Sequence, residues 1–318
     1  MKNVIILYGG DSVESEISLQ SAQGIIKNID QTKFSATMQD IKDFDVKSIN
    51  KEALIFIAVH GKDGEDGTTQ KLLSENNIKF TGSDENSTKK CWDKISSKIL
   101  MVENEIPTPE FQVISANQKL DLKNDFFLKN DSFFVKPNNN GSSFGVSKVD
   151  HKKNLGKAIT EARKYSKDVI IEKAYNTAEY TVGILKGEAL QPLEIIAEDN
   201  KGFYDFEAKY LSKATKKVEV VDKNIKKELK NIALKAFYKH GCQTWGRVDF
   251  VYDGENLGVL EINTVPGFTE KSLFPLAAKL SGINYQDLIT DIIEDSIYNF
   301  FTNNVGFFHY YRSECRKE

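Results

Sequence analysis

The residues best suited to chemistry stand in two short pairs, Arg247-x-Asp249 and Glu261-x-Asn263. Residues two apart on a strand point to one face. Asp253-Gly254-Glu255-Asn256, lying between the pairs, has the composition of a hairpin turn. Such a hairpin brings both pairs to one surface, with hard oxygen donors from Asp249, Glu261 and Asn263 and a cation from Arg247. That set suits Mg2+ shared with phosphates. A solvated sheet face with cross-strand charge pairs has the same composition. The functional reading is favoured because Glu261 follows the apolar Gly258–Leu260 run and Pro266-Gly267 closes the segment tightly. A carboxylate entering a buried stretch needs a partner.

Neither G-x-x-x-x-G-K-[ST] nor G-x-G-x-x-G occurs, so a phosphate site must be built differently. Asn140-Gly141-Ser142-Ser143-Phe144-Gly145 lies between two expected strands, and its small residues leave backbone N–H groups open to phosphate oxygens. Alone it reads as an ordinary turn, but Lys136 at the end of the preceding strand adds an ammonium beside it. Gly202 to Tyr210 mixes aromatic and charged residues in an expected loop; a water-excluding lid and a packed surface loop fit it equally. His60-Gly61 begins a loop at a strand's C-terminal end, where ligand loops gather in parallel sheets, though a lone histidine is more often structural. Glu14, near the start of the first helix, reads equally as a helix-dipole carboxylate.

The elements that must position these residues fall into an α/β pattern. Apolar strands at Val4–Tyr8, Ala53–Val59 and Ile78–Phe80 alternate with helices at Ile17–Ile29 and Gly67–Asn76, which predicts a parallel sheet. One helix is expected from Ser87 to Glu105, stopped by Pro107 and Pro109. A smaller unit follows, with strands at Phe133–Lys136, Val146–Val149 and Val169–Lys173 and a helix at Leu155–Tyr165. Tyr180–Leu185 and Ala189–Ile196 flank the turn-like Lys186-Gly187-Glu188. Ile225, Leu229, Ile232, Ala233, Ala236 and Phe237 share one helical face. Val248–Tyr252 and Gly258–Ile262 form the second hairpin, followed by helices around Ser272–Leu280 and Tyr285–Phe300. The expected units are 1–90, 91–175 and 176–318.

The 318 residues carry 43 Lys+Arg against 46 Asp+Glu, a net charge of −3, which gives no electrostatic case for nucleic acid or an anionic membrane. The longest apolar run, Ala53 to Val59, falls far short of a membrane span, and the opening Val4–Leu7 run is too short for a signal-peptide core. Cys91, Cys242 and Cys315 are scattered and odd in number, which implies neither a disulfide framework nor a thiolate metal site. A cytoplasmic location is the expectation.

Taken in order, the segments resemble the D-alanine–D-alanine ligase family of the ATP-grasp superfamily. The motifs are Gly9-Gly10 with Glu14-Ser15-Glu16-Ile17-Ser18, His60-Gly61 with Gly64-Glu65-Asp66-Gly67, Thr81-Gly82-Ser83, and Val135-Lys136-Pro137 with Gly141-Ser142-Ser143. Phe203-Tyr204-Asp205 with Glu207-Ala208-Lys209-Tyr210, Trp245-Gly246-Arg247-Val248-Asp249, and Glu261-Ile262-Asn263-Thr264 with Pro266-Gly267 complete the set. The resemblance runs from Gly9 to about residue 295. It implies an ATP-grasp fold, α/β with α+β character in the ATP-binding part, behind an N-terminal Rossmann-like parallel-sheet domain. ATP would lie between the central and C-terminal units.

The implied reaction has two steps: ATP phosphorylates the carboxylate of one D-alanine, and the amine of a second attacks the acyl phosphate. By position, Glu14 is implied to hold the first ammonium and to form a hydrogen-bonded set with Ser142 and Tyr210, with His60 near the first substrate. Lys94, Lys136 and Ser143 are implied near ATP phosphates, Lys209 at the γ-phosphate, Glu172 and Lys173 at the adenine edge, and Glu179 on the ribose. Asp249, Glu261 and Asn263 are implied to bind two Mg2+ or Mn2+ ions. Arg247 and the Gly267 N–H are implied to face the oxyanion, and Ser272 and the Leu273 N–H the second carboxylate. The resemblance also admits K+ and implies a homodimer. This sequence departs from the family pattern at Asn140, Val265, Phe268 and Lys271, which bears on the glycine loop and the second-substrate pocket. Alternatives are an ATP-grasp ligase for other substrates, a non-enzymatic ATP-binding regulator and a small-molecule binding protein. Glu14, Tyr210 and Ser272 together speak for D-alanine.

Overall fold

The computed structural model describes residues 1–141, 143–196 and 215–304. The first unit comprises β1 (Lys2–Tyr8), α1 (Ser15–Asn28), β2 (Phe34–Asp40), β3 (Leu54–Ile57), α2 (Thr68–Glu75) and β4 (Lys79–Phe80). Its four strands are parallel in the order β2-β1-β3-β4, as the apolar runs predicted. All four residues of β3 are buried, as suits a central strand covered on both faces. In this register the C-terminal ends of β1 and β3 lie side by side, so the loops starting at Gly9 and Ala58 emerge at one edge.

The single helix expected over Ser87–Glu105 is two helices, α3 (Glu85–Trp92) and α4 (Lys94–Glu103). Asp93 breaks it. This residue leaves the helical region (φ −79°, ψ 100°), and its carboxylate caps α4 by accepting the Ser96 N–H at 2.8 Å. Periodicity runs through such a break, because both helices keep an apolar face inward.

The central unit holds β5 (Phe111–Ile114), α5 (Asp125–Lys129), β6 (Phe133–Pro137), β7 (Ser147–Val149), α6 (Leu155–Ala162) and β8 (Val169–Lys173). Its antiparallel sheet runs β5-β8-β6-β7 over its own core, which includes Phe127, Phe133, Val135, Leu155 and Ile171.

The third unit has β9 (Ala178–Leu185), β10 (Glu188–Ala189), β11 (Leu193–Ile196), β12 (Lys216–Glu219), α7 (Lys223–Lys239), β13 (Trp245–Tyr252) and β14 (Leu257–Asn263). It ends in α8 (Leu273–Leu280) and α9 (Tyr285–Asn304). The antiparallel sheet runs β12-β11-β9-β13-β14, with β10 on β9. The second arm of the first expected hairpin is split into β10 and β11 around Leu190–Pro192. Pro192 has no N–H for a ladder, and the Gln191 N–H goes instead to Ser281 Oγ at 2.7 Å.

Two cores cross the units. Leu229, Phe237, Val248 and Ile262 of the third sheet and α7 bury together with Cys91 of α3 and Met101 of α4. The parallel sheet buries together with Trp245, Phe268, Phe274 and the α9 residues Leu288, Ile289, Ile292 and Ile293. The cysteines, scattered in sequence, are brought together in one case: the Cys91 and Cys242 thiols are buried and unbridged with sulfurs 3.5 Å apart. Burial, reinforced by Cys242, pushes the Cys91 thiol well above its ordinary pKa. Cys315 lies outside the described residues.

Candidate active site

The β13–β14 hairpin juxtaposes the two pairs: Arg247 lies opposite Asn263 and Asp249 opposite Glu261, with a bulge after Asp249. Asp249 is the hub. Its Oδ1 accepts from Arg247 Nε at 2.8 Å and Thr181 Oγ1 at 2.6 Å, and its Oδ2 accepts from Arg247 Nη2 at 2.7 Å and Asn263 Nδ2 at 2.9 Å. The two-point guanidinium–carboxylate fork is largely buried, and its two parallel hydrogen bonds fix the orientation of both groups. Because the Asn263 amide nitrogen points to Asp249, its carbonyl oxygen faces elsewhere. Among the described residues no three His, Cys, Asp or Glu side chains converge on a metal site. The donor set here is two carboxylates and one carboxamide, a mixture that fits a hard divalent cation.

A cleft open to solvent lies against this hairpin, with Lys94, Lys136, Asn140, Gly141, Ser143, Glu179, Tyr180, Asp249 and Glu261 among its lining residues. The helix break at Asp93 puts Lys94 at the start of α4, where its ammonium donates to the Asn140 carbonyl at 2.8 Å and stands 3.7 Å from Glu261 Oε2. Asn138 fixes the loop to that helix end by donating to Asp93 Oδ2 and accepting the Ile95 N–H, both at 2.8 Å. Across the cleft, Lys136 donates to Glu172 Oε2 at 2.6 Å. Lys98, a residue the motifs did not single out, reaches Glu172 Oε1 at 3.1 Å. Burial works against the Glu172 charge, but Lys136 and Lys98 more than offset it and hold the carboxyl below its ordinary pKa. Lys173 turns to Asp253 at 3.3 Å, so the side chains of Glu172 and Lys173 are both engaged with protein groups.

The parallel sheet contributes a second cluster beside the cleft. His60 Nδ1 lies 3.0 Å from the Val265 carbonyl and Nε2 lies 3.0 Å from Ser21 Oγ. A carbonyl only accepts, so Nδ1 carries the proton and Nε2 accepts from Ser21. Burial is the main cause of a lowered His60 pKa, which keeps the ring neutral. Glu65 accepts the Gly61 N–H at 3.0 Å. Burial first, and then the Glu14 charge, push its carboxyl up to about 8. Glu14 is itself buried. A Cβ on Gly61 would lie 2.9 Å from Glu14 Oε2, and one on Gly141 3.4 Å, which places this carboxylate between the strand-end loop and the glycine loop. Gly64 is equally constrained, since a Cβ there would sit 1.8 Å from the Val59 carbonyl oxygen.

Beyond β14, Ser272 Oγ accepts the Thr269 N–H at 3.0 Å just ahead of α8, and a Cβ on Gly267 would come within 3.1 Å of that oxygen. Leu273 opens the helix. Lys271 offers its carbonyl to Lys217 Nζ at 2.7 Å. Two of the residues that depart from the family pattern serve packing. Val265 is buried, and Phe268 lies in an aromatic cluster with Phe56, Trp245, Phe274 and Tyr285. The expected site residues Ser142, Lys209 and Tyr210, and the expected loop over Gly202–Ser212, lie outside the described residues. Of the others, Lys94, Lys136, Ser143, Glu179, Asp249 and Glu261 line the cleft, and Arg247, Asn263 and Glu172 bond to lining residues. Glu14 and His60 belong to the N-terminal cluster, Lys173 turns away to Asp253, and Gly267, Ser272 and Leu273 lie beyond β14. Glu65 and Lys98 were missed as individual contributors; Glu65 stood inside a quoted motif, whereas Lys98 gave no signal beyond a helical position.

Antiparallel sheets flanking a lysine- and carboxylate-lined cleft, set beside a parallel sheet, define an α/β architecture with a charged cleft suited to a polar ligand. Residues 100–294 match the family model described as D-ala D-ala ligase C-terminus. The chain is 36% identical over 298 residues to the D-alanine–D-alanine ligase of Methylacidiphilum infernorum, covering 93% of this chain and 95% of that protein. Its structure is similar to that of the Bacillus anthracis ligase, with TM-score 0.86, 28% identity and coverage of 95% of this chain and 100% of the other. The ATP complex of the same enzyme gives TM-score 0.83 and 26% identity over 95% of this chain and 100% of the other. The chain belongs to the D-alanine–D-alanine ligase family, and its fold is ATP-grasp.

Proposed function

We propose that this protein joins two D-alanine molecules into D-alanyl-D-alanine at the expense of ATP, through a D-alanyl phosphate, in peptidoglycan precursor synthesis. A carboxylate oxygen is a poor leaving group, and transfer of the γ-phosphoryl group converts it into a good one. The observation that carries the reading is the convergence of Lys94, Lys136, Asp249 and Glu261 on one cleft, with the Glu14 carboxylate at its N-terminal side.

In this reading Lys94 and Lys136 hold nucleotide phosphates, with Ser143 of the glycine loop and Lys209 beside them, while Glu172, Lys173 and Glu179 border the nucleoside. Asp249, Glu261 and Asn263 would hold two Mg2+ or Mn2+ ions, which when bound neutralise phosphate charge. Glu14 receives the first ammonium, with His60 neutral beside it and Ser142 and Tyr210 completing its hydrogen bonds. Arg247 and the Gly267 N–H face the oxygen that becomes negative as the second amine attacks. Ser272 and the Leu273 N–H receive the second carboxylate. Units spanning 1–90, 91–175 and 176–318, a homodimer and a cytoplasmic location complete the proposal. Family membership supports them, and no helix among the described residues is long and apolar enough to cross a membrane.

The test is phosphate release from MgATP with D-alanine, with L-alanine, or with D-alanine plus D-lactate, with products identified by mass. Release with D-alanine alone and formation of the dipeptide are expected. Tight ATP binding without release in any mixture would overturn the reading in favour of other substrates or a regulatory ATP-binding protein.

A further inference from the structure

Lys98 has no role in the scheme above, yet it is among the largest fully buried side chains, 1% exposed on α4 one turn beyond Lys94. Its ammonium meets three acceptors: Glu172 Oε1 at 3.1 Å, Thr108 Oγ1 at 2.6 Å and the Val259 carbonyl at 3.2 Å. Thr108 gives its own proton to that carbonyl at 2.7 Å, so a lone pair is left facing Lys98. Three donors thus face three acceptors, an arrangement suited to the charged ammonium. Burial lowers Lys98 to about 8 while Glu172 pulls the other way, so the side chain is still largely protonated at neutral pH.

One buried carboxylate is therefore shared between two lysines, Oε1 to Lys98 and Oε2 to Lys136 at 2.6 Å. The trio carries a net charge of one plus. Lys136 lines the cleft and Lys98 does not. Without Lys98, Glu172 Oε1 loses its partner deep in the protein, where an unpaired carboxylate oxygen is costly. The nearest remaining cation is Lys136, and a carboxylate closing on it with both oxygens would neutralise the cleft wall.

We propose that Lys98 is a positioning residue for nucleotide binding: by holding Oε1 of Glu172, it keeps Lys136 from being fully neutralised and leaves the cleft wall with a positive charge facing the phosphates. The inference rests on the placement of phosphates at Lys136 given above. It predicts that the effect of removing Lys98 grows with the negative charge of the ligand. A role confined to packing α4 against β14 would weaken charged and uncharged ligands alike.

The experiment measures binding of adenosine, MgADP and a non-hydrolysable MgATP analogue to the full chain by calorimetry, together with KM and kcat for ATP. The variants are Lys98→Met, Lys98→Arg, Lys136→Met and the pair Lys98→Met/Glu172→Gln. Lys98→Met is expected to weaken the ATP analogue about tenfold or more, MgADP less, and adenosine within about twofold. The KM for ATP should rise more than kcat falls, and Lys98→Arg should recover most of the loss. The paired variant again leaves a net charge of one plus and should recover most of the preference for ATP over adenosine. It also carries the test if Lys98→Met does not fold. Equal weakening of all three ligands, unchanged affinity in Lys98→Met, or no recovered preference in the pair would overturn the inference. Lys136→Met separates the two readings. Lost ATP-analogue affinity there with none lost in Lys98→Met sinks this inference alone, whereas unchanged affinity in Lys136→Met sinks the phosphate placement and this inference with it.

Discussion

Glu65→Gln isolates the titration of one buried carboxyl. Glu65 is held by the Gly61 N–H at 3.0 Å, with His60 Nδ1 4.0 Å away, and its side chain is 17% exposed. Burial, then Glu14 and more weakly Glu261, raise its pKa to about 8 from 4.5, while the Gly61 N–H and Arg247 pull the other way. Between those pH values the folded protein keeps a proton that the unfolded chain has released. The unfolded state binds fewer protons, so this group's contribution to stability falls as pH rises, by on the order of 1 kcal/mol per pH unit. The carboxamide introduced by Glu65→Gln keeps an oxygen for the Gly61 N–H and resembles the protonated acid in shape, but cannot titrate. Titratable groups remote from Glu65 are common to both proteins and cancel in the comparison. Urea unfolding of both proteins at pH 5.5, 6.5 and 7.5 is the assay. The variant should gain on the parent steadily through the series, by on the order of 1 kcal/mol per pH unit. Stability curves that stay parallel across this range would refute the assignment of a buried, protonated Glu65.

Phe268→Ala should destabilise the protein by about 3–5 kcal/mol in chemical denaturation, because the ring is fully buried against Phe56, Trp245, Phe274 and Tyr285; a loss below about 1 kcal/mol would contradict that packing. Glu261→Gln should lower Mg2+-dependent turnover by about a hundredfold or more with a nearly unchanged thermal transition, and near-normal turnover would remove Glu261 from the metal donors.

The legible parts of this protein are those where local sequence and tertiary environment agree. The wholly apolar β3 and the β13–β14 hairpin could be read because burial on both faces and a turn-rich linker each leave a local mark. β2 and β5 were not read, since both contain interleaved polar residues and neither has more than one fully buried residue. The break at Asp93 was missed because a cap reuses a residue type that helices also tolerate on their surface. Candidate site residues were named where a motif carried them. Lys98 escaped because a lysine on a helix ordinarily reads as solvated, and only the fold shows it under β14.

This cleft cannot be built by any one unit. Lys136 and Glu172 come from the central sheet, Asp249 and Glu261 from the third, and His60 and Glu65 from loops of the parallel sheet. Each joint between them is tied by a specific contact. The Asn138 side chain docks the loop after β6 onto the start of α4. The Val259 N–H donates to the Pro107 carbonyl at 2.8 Å and fixes the linker to β14. The Phe268 N–H donates to Ser21 Oγ at 3.2 Å, the same hydroxyl that donates to His60, so the segment after β14 is registered against α1 and the imidazole at once. A substitution at any of these joints moves charges relative to one another without removing one. Its signature is therefore a weakened response to the ligand's charge in a protein that still folds, the behaviour predicted for Lys98.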